Sequence, residues 1–273
     1  SYLVTALMED SNGMMWIATD KGLTRFDGAY LEIFDFIESF FTGSQAIVNN
    51  ILEDQDGRIW VYTSQKGIYV LDLKVGLVSS FNFVGQNFNF NDNCSMIMDG
   101  EGQIWVGTIQ DGIYVFNSSD DTYKHIPQWG PNNDRNASKL TIDQNGSLWV
   151  GSASGLSEID IQDGKIKTLE EPFNTSIASI TGLFTDSENQ IWIGTAAQGV
   201  AFLNSERNII SSLGAKQGLR TSIGHFSEGS DQTIWMSSSE GVYVFNKDNN
   251  GLKNLNSADG LIDDFINTTT FDR

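Results

Sequence analysis

Cysteine, histidine and proline are scarce in this chain. Its 273 residues include 1 cysteine, 2 histidines and 3 prolines. Cys94 has no second cysteine to pair with, so an internal disulfide is excluded and the redox compartment stays open. His125 and His225 supply neither the Cys/His spacing of a zinc site nor the chain order of a Ser–His–Asp triad. We therefore expect no metal and no cofactor.

Basic residues and long apolar runs are scarce as well. Lys and Arg number 16 against 35 acidic residues, which gives a formal net charge of −19. A surface of that sign repels phosphate backbones, so we expect no direct binding of nucleic acid by this chain. No run of about 18 apolar residues occurs, so the sequence predicts no membrane-spanning helix.

Tryptophan is present at a regular interval. Six of the 7 tryptophans recur every 43 to 45 residues, and only Trp129 falls outside the series. A Thr or Ser follows each of the six by three residues, and a Gly follows by six or seven. An Asp precedes five of them by six residues, and the sixth copy has Gly229 instead. So many aligned columns establish a repeat architecture. The six tryptophans are Trp16, Trp60, Trp105, Trp149, Trp192 and Trp235.

Each repeat reads as four short strands. In the second copy, "AIVNNILE", "RIWVYT", "IYVLD" and "LVSSFNF" are rich in β-branched and aromatic residues and are separated by Gly, Asp and Asn. Four antiparallel strands per repeat of this length are typical of a β-propeller blade. The predicted fold is therefore an all-β propeller formed by residues 1–273. The predicted repeats cover about 8–51, 52–96, 97–140, 141–183, 184–226 and 227–264, and 265–273 would begin the next blade.

The repeated Trp and Asp have structural interpretations. A Trp at one register in every copy favours packing between sheets over ligand stacking, because one ligand cannot use all equivalent positions. The Asp and Gly of D-x-x-G favour a tight turn. "DQDG" at 54–57 begins like a calcium loop, but the remaining ligands of such a loop are missing.

The repeats resemble the two-component regulator propeller family. The resemblance rests on segments such as "MEDSNGMMWIATDKGLTRFD" (8–27) and "IMDGEGQIWVGTIQDGIYVFN" (97–117), and it covers essentially the whole chain. It implies the periplasmic sensor region of a hybrid histidine kinase, with a second propeller and the kinase domains elsewhere in the same protein. It also implies seven blades. Val4 aligns with Ile266, so the chain would hold six repeats plus the first strand of a seventh. An open ring leaves a homodimer as an alternative form of closure.

A ligand is expected where the variable loops lie. In a four-stranded meander, the long connections between blades and the loops between strands two and three share one face, here called the loop face. Exposed aromatic rings beside amides and arginines suit an oligosaccharide, although the Phe residues could instead pack beneath their own loops. The predicted ligand-binding residues are Phe40, Phe41, Phe88, Phe90, Asn91, Trp129, Asn132, Arg135, Phe173, Arg220 and His225.

Three functions remain open from the sequence. The first is a non-catalytic, carbohydrate-binding sensor module that signals to a kinase. The second is an enzyme similar to the streptogramin lyases, which would need His225 beside metal-binding carboxylates at the central channel. The third is a protein-docking scaffold, which would present a broad apolar patch instead of a pocket.

Overall fold

The computed structural model describes residues 3–34, 47–64, 67–81, 94–119, 122–129, 135–153, 155–161, 165–168, 179–196, 199–206, 208–219 and 221–271. Within these residues the chain forms six four-stranded antiparallel sheets. Its helical residues there are two 3-10 turns, Ala215–Gln217 and Ser257–Asp259. The predicted all-β class is confirmed, and the six sheets have the four-stranded form of propeller blades.

Contacts divide the chain into two compact units, and the first contains blades 1 to 3. Blade 1 comprises β1 (Val4–Glu9), β2 (Met15–Thr19), β3 (Gly22–Phe26) and β4 (Leu31–Ile33). Blade 2 comprises β5 (Val48–Glu53), β6 (Ile59–Thr63), β7 (Gly67–Asp72) and β8 (Gly76–Phe81). Blade 3 comprises β9 (Ser95–Met98), β10 (Gln103–Gly107), β11 (Ile113–Asn117) and β12 (Thr122–Ile126).

The second unit contains blades 4 to 6. Blade 4 comprises β13 (Lys139–Ile142), β14 (Ser147–Ser152), β15 (Gly155–Asp160) and β16 (Ile166–Thr168). Blade 5 comprises β17 (Ile180–Thr185), β18 (Ile191–Thr195), β19 (Val200–Leu203) and β20 (Ile209–Leu213). Blade 6 comprises β21 (Ile223–Glu228), β22 (Thr233–Ser238), β23 (Gly241–Asn246) and β24 (Gly251–Leu255).

Each blade is a meander whose strands pair in chain order. Within each unit, the first strand of one blade lies against the first strand of the next, as β1 does with β5 and β17 with β21. The glycine that begins the third strand is required by the close approach of the fourth strand of the same blade. A Cβ at Gly241 would lie 2.1 Å from the Leu255 carbonyl oxygen, and the φ of this residue is +109°.

Among the five tryptophans of blades 1 to 5, those of blades 1, 2, 4 and 5 lie between blades, as the sequence predicts. Trp60 packs with Ile104 and Phe116 of blade 3, and Trp192 packs with Phe226 and Phe245 of blade 6. All five are buried, with exposed fractions of 0 to 6%. An aromatic side chain contributes about 150–250 Å² of buried surface, so these residues dominate the apolar core.

In blades 1 to 5, the aspartate of the turn between the first two strands binds the tryptophan of its own blade. In blade 3, Asp99 Oδ1 accepts hydrogen bonds from the backbone N–H groups of Glu101 and Gln103, at 3.0 and 2.8 Å. Its Oδ2 accepts one from Trp105 Nε1 at 2.8 Å. The Nε1–Oδ2 distance is 2.8 to 3.1 Å in the other four blades that have this pair. One buried carboxylate therefore closes the turn and also orients the core indole.

Blade 6 departs from this arrangement because Gly229 replaces the aspartate. Trp235 Nε1 donates instead to Thr233 Oγ1 at 3.0 Å. The indole is only half-buried, and its ring meets that of Phe271 edge-on, with centroids 5.4 Å apart.

The segment 265–271 runs along blade 6 without forming a strand. Ile266 N–H donates to the Ser238 carbonyl at 2.8 Å, and Ser237 Oγ donates to the Asn267 carbonyl at 3.0 Å. Between blades 5 and 6, Thr181 Oγ1 donates to the Ile223 carbonyl at 2.7 Å in a similar way. The segment thus contacts blade 6 as a following blade would, and a seventh blade stays a prediction.

Candidate ligand-binding site

The structure describes three of the predicted ligand-binding residues, Trp129, Arg135 and His225. The other eight lie outside the described residues: Phe40, Phe41, Phe88, Phe90, Asn91, Asn132, Phe173 and Arg220.

The expectation of an exposed ring at Trp129 was wrong. Trp129 is 4% exposed, and its Nε1 has no hydrogen-bond partner among the residues that the structure describes. Its position outside the repeat series suggested a surface role, but a large indole gains more free energy from burial than from exposure. Trp129 therefore offers no stacking surface to a ligand in this conformation.

Arg135 belongs to a side-chain cluster at the loop face of blade 3. Its Nη2 lies 3.3 Å from Asp111 Oδ1. Asp111 Oδ2 accepts a hydrogen bond of 2.6 Å from the Tyr114 hydroxyl. The ring of His125 stacks on Tyr114, with centroids 4.2 Å apart and planes 5° from parallel. A phenol and a guanidinium thus contact the same carboxylate, and an imidazole stacks on the phenol.

Three strand ends bring this cluster together. Asp111 lies in the loop between β10 and β11, while Tyr114 and His125 are cross-strand partners on β11 and β12. The segment that carries Arg135 is held to the same loop, because Gly112 N–H donates to the Arg135 carbonyl and Ala137 N–H donates to the Thr108 carbonyl, at 2.8 and 2.7 Å. Backbone hydrogen bonds therefore fix the position of Asp111 relative to Arg135.

Blade 6 repeats part of the cluster and so clarifies the role of His125. There Tyr243 donates to Glu240 Oε2 at 3.2 Å, and Asn254 Nδ2 donates to the Glu240 carbonyl at 3.1 Å. His125 Nε2 lies 2.8 Å from the carbonyl of Asp111, the residue equivalent to Glu240. A carbonyl oxygen can only accept, so His125 carries its proton on Nε2 and donates it to the Asp111 carbonyl. The Asn254 amide makes the equivalent bond in blade 6, which indicates a structural role for His125.

The electrostatics of the cluster favour binding over proton transfer. Burial and the hydrogen bond to the Asp111 carboxylate raise the pKa of the Tyr114 phenol, so this hydroxyl remains a neutral donor. The Asp111 carboxylate is 20% exposed and the Arg135 side chain 54% exposed. A guanidinium has five N–H donors, so Arg135 can bond Asp111 and a ligand at the same time.

His225 lies on β21, the innermost strand of blade 6. Its side chain is accessible to water. The pKa of its imidazole is nevertheless lowered to about 4, because the surrounding protein atoms desolvate the ring and the Lys139 ammonium repels an added proton. The residue is thus accessible to solvent, although many protein atoms surround the ring. At neutral pH it is uncharged.

The lyase alternative required carboxylates beside His225. The charged group that shifts its pKa is instead a lysine. No three His, Cys, Asp or Glu side chains converge to hold a metal ion in the part of the chain that the structure describes. Nothing in the described surroundings of His225 therefore favours the enzyme over the other two functions.

Comparison with known proteins agrees with the resemblance found in the repeats. The family model described as two component regulator propeller matches residues 1–21. Histidine kinase P4 of Formosa agariphila is 30% identical over 74 residues, which are 25% of this chain and 5% of that protein. These matches confirm the resemblance.

Solved structures share the fold at low sequence identity. The extracellular domain of a hybrid two-component system from B. thetaiotaomicron is 17% identical with a TM-score of 0.76, over 98% of this chain and 35% of that one. Virginiamycin B lyase from Staphylococcus aureus is 13% identical with a TM-score of 0.70, over 93% of this chain and 84% of the lyase. Because propellers host different functions, such likenesses establish the fold alone. This chain spans about a third of the two-component structure.

Within the described residues, no helix has the length and hydropathy to cross a membrane.

Proposed function

We propose that this chain is a non-catalytic, periplasmic sensor module of a two-component signalling protein. It binds a small ligand, an oligosaccharide, at the loop face and passes the signal to a histidine kinase in the same protein. The relatives support this proposal, since one is a histidine kinase and another is the extracellular domain of a hybrid two-component system.

The observation that carries the ligand proposal is the Asp111–Arg135 pair. It places a fixed carboxylate acceptor beside a half-exposed set of guanidinium donors, 3.3 Å apart. Adjacent sugar hydroxyls each donate and accept a hydrogen bond, so one donor–acceptor pair satisfies both. Tyr114 donates to the Asp111 carboxylate and His125 to the Asp111 backbone carbonyl, so both residues hold Asp111 in place. Because the acceptor is already fixed, ligand binding at this pair should cost little side-chain conformational entropy.

We further propose that a seventh blade, followed by the second propeller, completes the domain. An apolar cavity of about 480 Å³ opens beside Trp235, Val244, Leu252 and Leu255 on blade 6. Equivalent tryptophans in the same unit are covered by the next blade. A structure of the longer protein in which Trp235 stayed uncovered, or was covered by a second copy, would contradict this proposal.

A thermal-shift panel tests the sensor proposal. The panel contains plant, host and microbial oligosaccharides, each with and without divalent metals. A ligand at about 100 times its Kd should stabilise the fold by about 2.7 kcal/mol, which is several degrees for a chain of this size. We expect one class of saccharide to raise Tm.

Two variants locate the site. Arg135→Met should abolish the shift, because it removes the donors and leaves the apolar stem. Lys124→Met is the matched control, since Lys124 is an exposed cation on β12 beside His125. Absence of a shift with every saccharide, or an equal shift in Arg135→Met, would refute saccharide binding at this pair.

A further inference from the structure

We infer that the face of blade 1 directed away from blade 2 is the docking surface for the seventh blade, and that Arg273 of that blade binds Glu9. This inference rests on the proposed seventh blade and goes beyond it. The proposal above concerns what covers blade 6, whereas the inference assigns the receiving surface on blade 1 and the charged pair that joins the two blades.

The first observation is a shared apolar pocket at the described junctions between blades. At the junction of blades 1 and 2, Trp16 shares a buried cluster with Ile59, Val61 and Leu71 of blade 2. Ile59 and Val61 flank Trp60 in the sequence, and Leu71 pairs with Ile59 across β6 and β7. The same three positions pack on the tryptophan of the preceding blade at the junctions of blades 2 and 3, 4 and 5, and 5 and 6. Since side chains alternate along a strand, a blade receives its neighbour's tryptophan on the face opposite its own.

The second observation is that blade 1 has the same pocket in a more exposed form. Met15 and Ile17 flank Trp16, and Phe26 pairs with Met15 across β2 and β3. These three apolar residues are only partly buried, whereas their counterparts in blade 2 are 0 to 2% exposed. Leu31, which pairs with Phe26 on β4, is 65% exposed. An apolar face of this extent that remains accessible to water indicates a binding partner.

The third observation is a glutamate that supplies polar contacts at two junctions. Glu53 ends β5 and accepts hydrogen bonds from the backbone N–H and the Oγ of Ser11 in the blade 1 turn, both at 2.6 Å. Glu228 ends β21 and accepts the same two bonds from Ser187 in the blade 5 turn, at 2.7 and 2.9 Å. Glu9 ends β1 at the equivalent position. Its register therefore suits the residue that follows the turn aspartate in a blade docked on blade 1.

The seventh repeat has a residue of opposite charge at this turn position. Because Val4 aligns with Ile266, Asp10 aligns with Asp272, and the residue that follows is Arg273. Arg273 lies outside the described residues, so its place follows from the repeat register. An arginine binds a carboxylate through two parallel N–H bonds, which makes it a matched partner for Glu9. The first six repeats have uncharged residues at the position: Ser11, Gln55, Gly100, Gln144, Ser187 and Ser230.

The occupant of the face is the seventh blade of the same chain and not a second copy. A second copy would have to present blade 6, the last described blade. Trp235 of that blade already meets Phe271 edge-on, and Ser227 Oγ lies 2.7 Å from Thr269 Oγ1. The segment 265–271 thus occupies the face of blade 6 that a second copy would need.

A charge exchange in the longer protein tests the pair. Glu9→Arg and Arg273→Glu each bring like charges together, so each alone should lower the Tm of the propeller by about 2–4 °C. The double variant restores the pair in reverse and should regain most of that loss. Glu101→Arg is the control for Glu9→Arg, because Glu101 is an exposed residue of the blade 3 turn. Its effect should simply add to that of Arg273→Glu.

Chemical cross-linking identifies the occupant independently of stability. Glu9→Cys and Arg273→Cys are placed in one chain and treated with a short bis-maleimide. The native Cys94 is buried, and the protein without the two substitutions serves as the blank. We expect a cross-link within single chains, seen as a product of monomer mass. Chains that carry one substitution each, once mixed, should give no cross-linked dimer.

The outcomes separate this inference from the proposals above. If a seventh blade covers Trp235 but the effects of Glu9→Arg and Arg273→Glu are additive, the seventh blade stands and the inference is wrong. A cross-linked dimer in place of the product within one chain would mean that a second copy occupies the face, which also overturns the inference. The saccharide panel depends on neither result, so the sensor proposal stands or falls separately.

Discussion

At the scale of single residues, a buried aspartate links a turn to the core in blades 1 to 5. Asp99 is 7% exposed and accepts three hydrogen bonds through two oxygens. A carboxylate can only accept, so it matches the three N–H donors around it. The aspartate therefore has two roles. It closes the D-x-x-G turn, and it orients the indole of the tryptophan six residues later.

Asp99→Asn should destabilise the fold. The amide retains Oδ1 for the backbone N–H groups, but its Nδ2 would then face Trp105 Nε1, and two donors would meet without an acceptor. Leaving a buried donor unsatisfied costs about 1–3 kcal/mol of the free energy of unfolding. Urea denaturation followed by tryptophan fluorescence measures this loss.

Asp72→Asn is the matched control for this prediction. Asp72 accepts a hydrogen bond of 2.8 Å from the backbone N–H of Lys74 in a comparable turn. Asparagine can accept the same bond, so the change should stay within about 0.5 kcal/mol. Equal stability losses in the two variants would mean that the bond to Trp105 contributes nothing measurable.

At the scale of elements, the residue after the third strand joins neighbouring blades. Lys247 follows β23 of blade 6, and its Nζ lies 3.4 Å from Asp186 Oδ2 of blade 5 and 2.7 Å from Glu228 Oε1. In blade 3 the equivalent residue is Ser118, whose carbonyl accepts a hydrogen bond of 2.6 Å from Arg58 of blade 2. In these two blades, different chemistry at one position thus fastens the third strand to the first turn of the preceding blade.

Lys247→Met should loosen the contact between blades 5 and 6. The lysine side chain is 9% exposed and Asp186 is fully buried, so the substitution leaves carboxylates without their cation. The expected loss is about 3 kcal/mol, at the low end for a broken buried ion pair. Lys253→Met, an exposed lysine on β24, should change stability by less than about 0.5 kcal/mol.

The pH dependence of this loss has a definite sign. Burial raises the pKa of Glu228, but hydrogen bonds from Lys247 and Ser187 more than offset it and leave the pKa below its usual value of 4.5. Glu228 therefore stabilises the fold above that pH and loses its contribution as the pH falls below it. The difference between wild type and Lys247→Met should shrink in acid. A difference that grew there would contradict the ion pair.

At the scale of the whole molecule, the period of the sequence determines most of the fold. The spacing of Trp16, Trp60 and their equivalents predicted the blades, and alternating β-branched residues predicted the strands. The bond between Asp99 and Trp105 was not predicted, because either residue has a sufficient separate explanation as turn or core. The wrong expectation at Trp129 arose because absence from a repeat says nothing about burial.

The candidate site was less accessible to sequence reasoning. Tyr114 and His125 are cross-strand partners, and Asp111 joins them only through the geometry of one loop. A usable signal was nevertheless present. Asp111-Gly112-x-Tyr114 recurs as an acidic residue, Gly and Tyr at 240, 241 and 243, and a repeated contact outside the core columns indicates a shared surface feature. The eight predicted residues outside the described part stay predictions.

The central claim is that a ligand binds at the loop face. Hydrogen exchange with and without pooled oligosaccharides tests this claim most directly. Binding slows exchange where it restricts local opening. We expect protection at residues 108–114 and 221–225, with no change at the D-x-x-G turns 54–58 and 99–103. Protection at those turns, or none anywhere in the chain, would contradict a loop-face saccharide sensor.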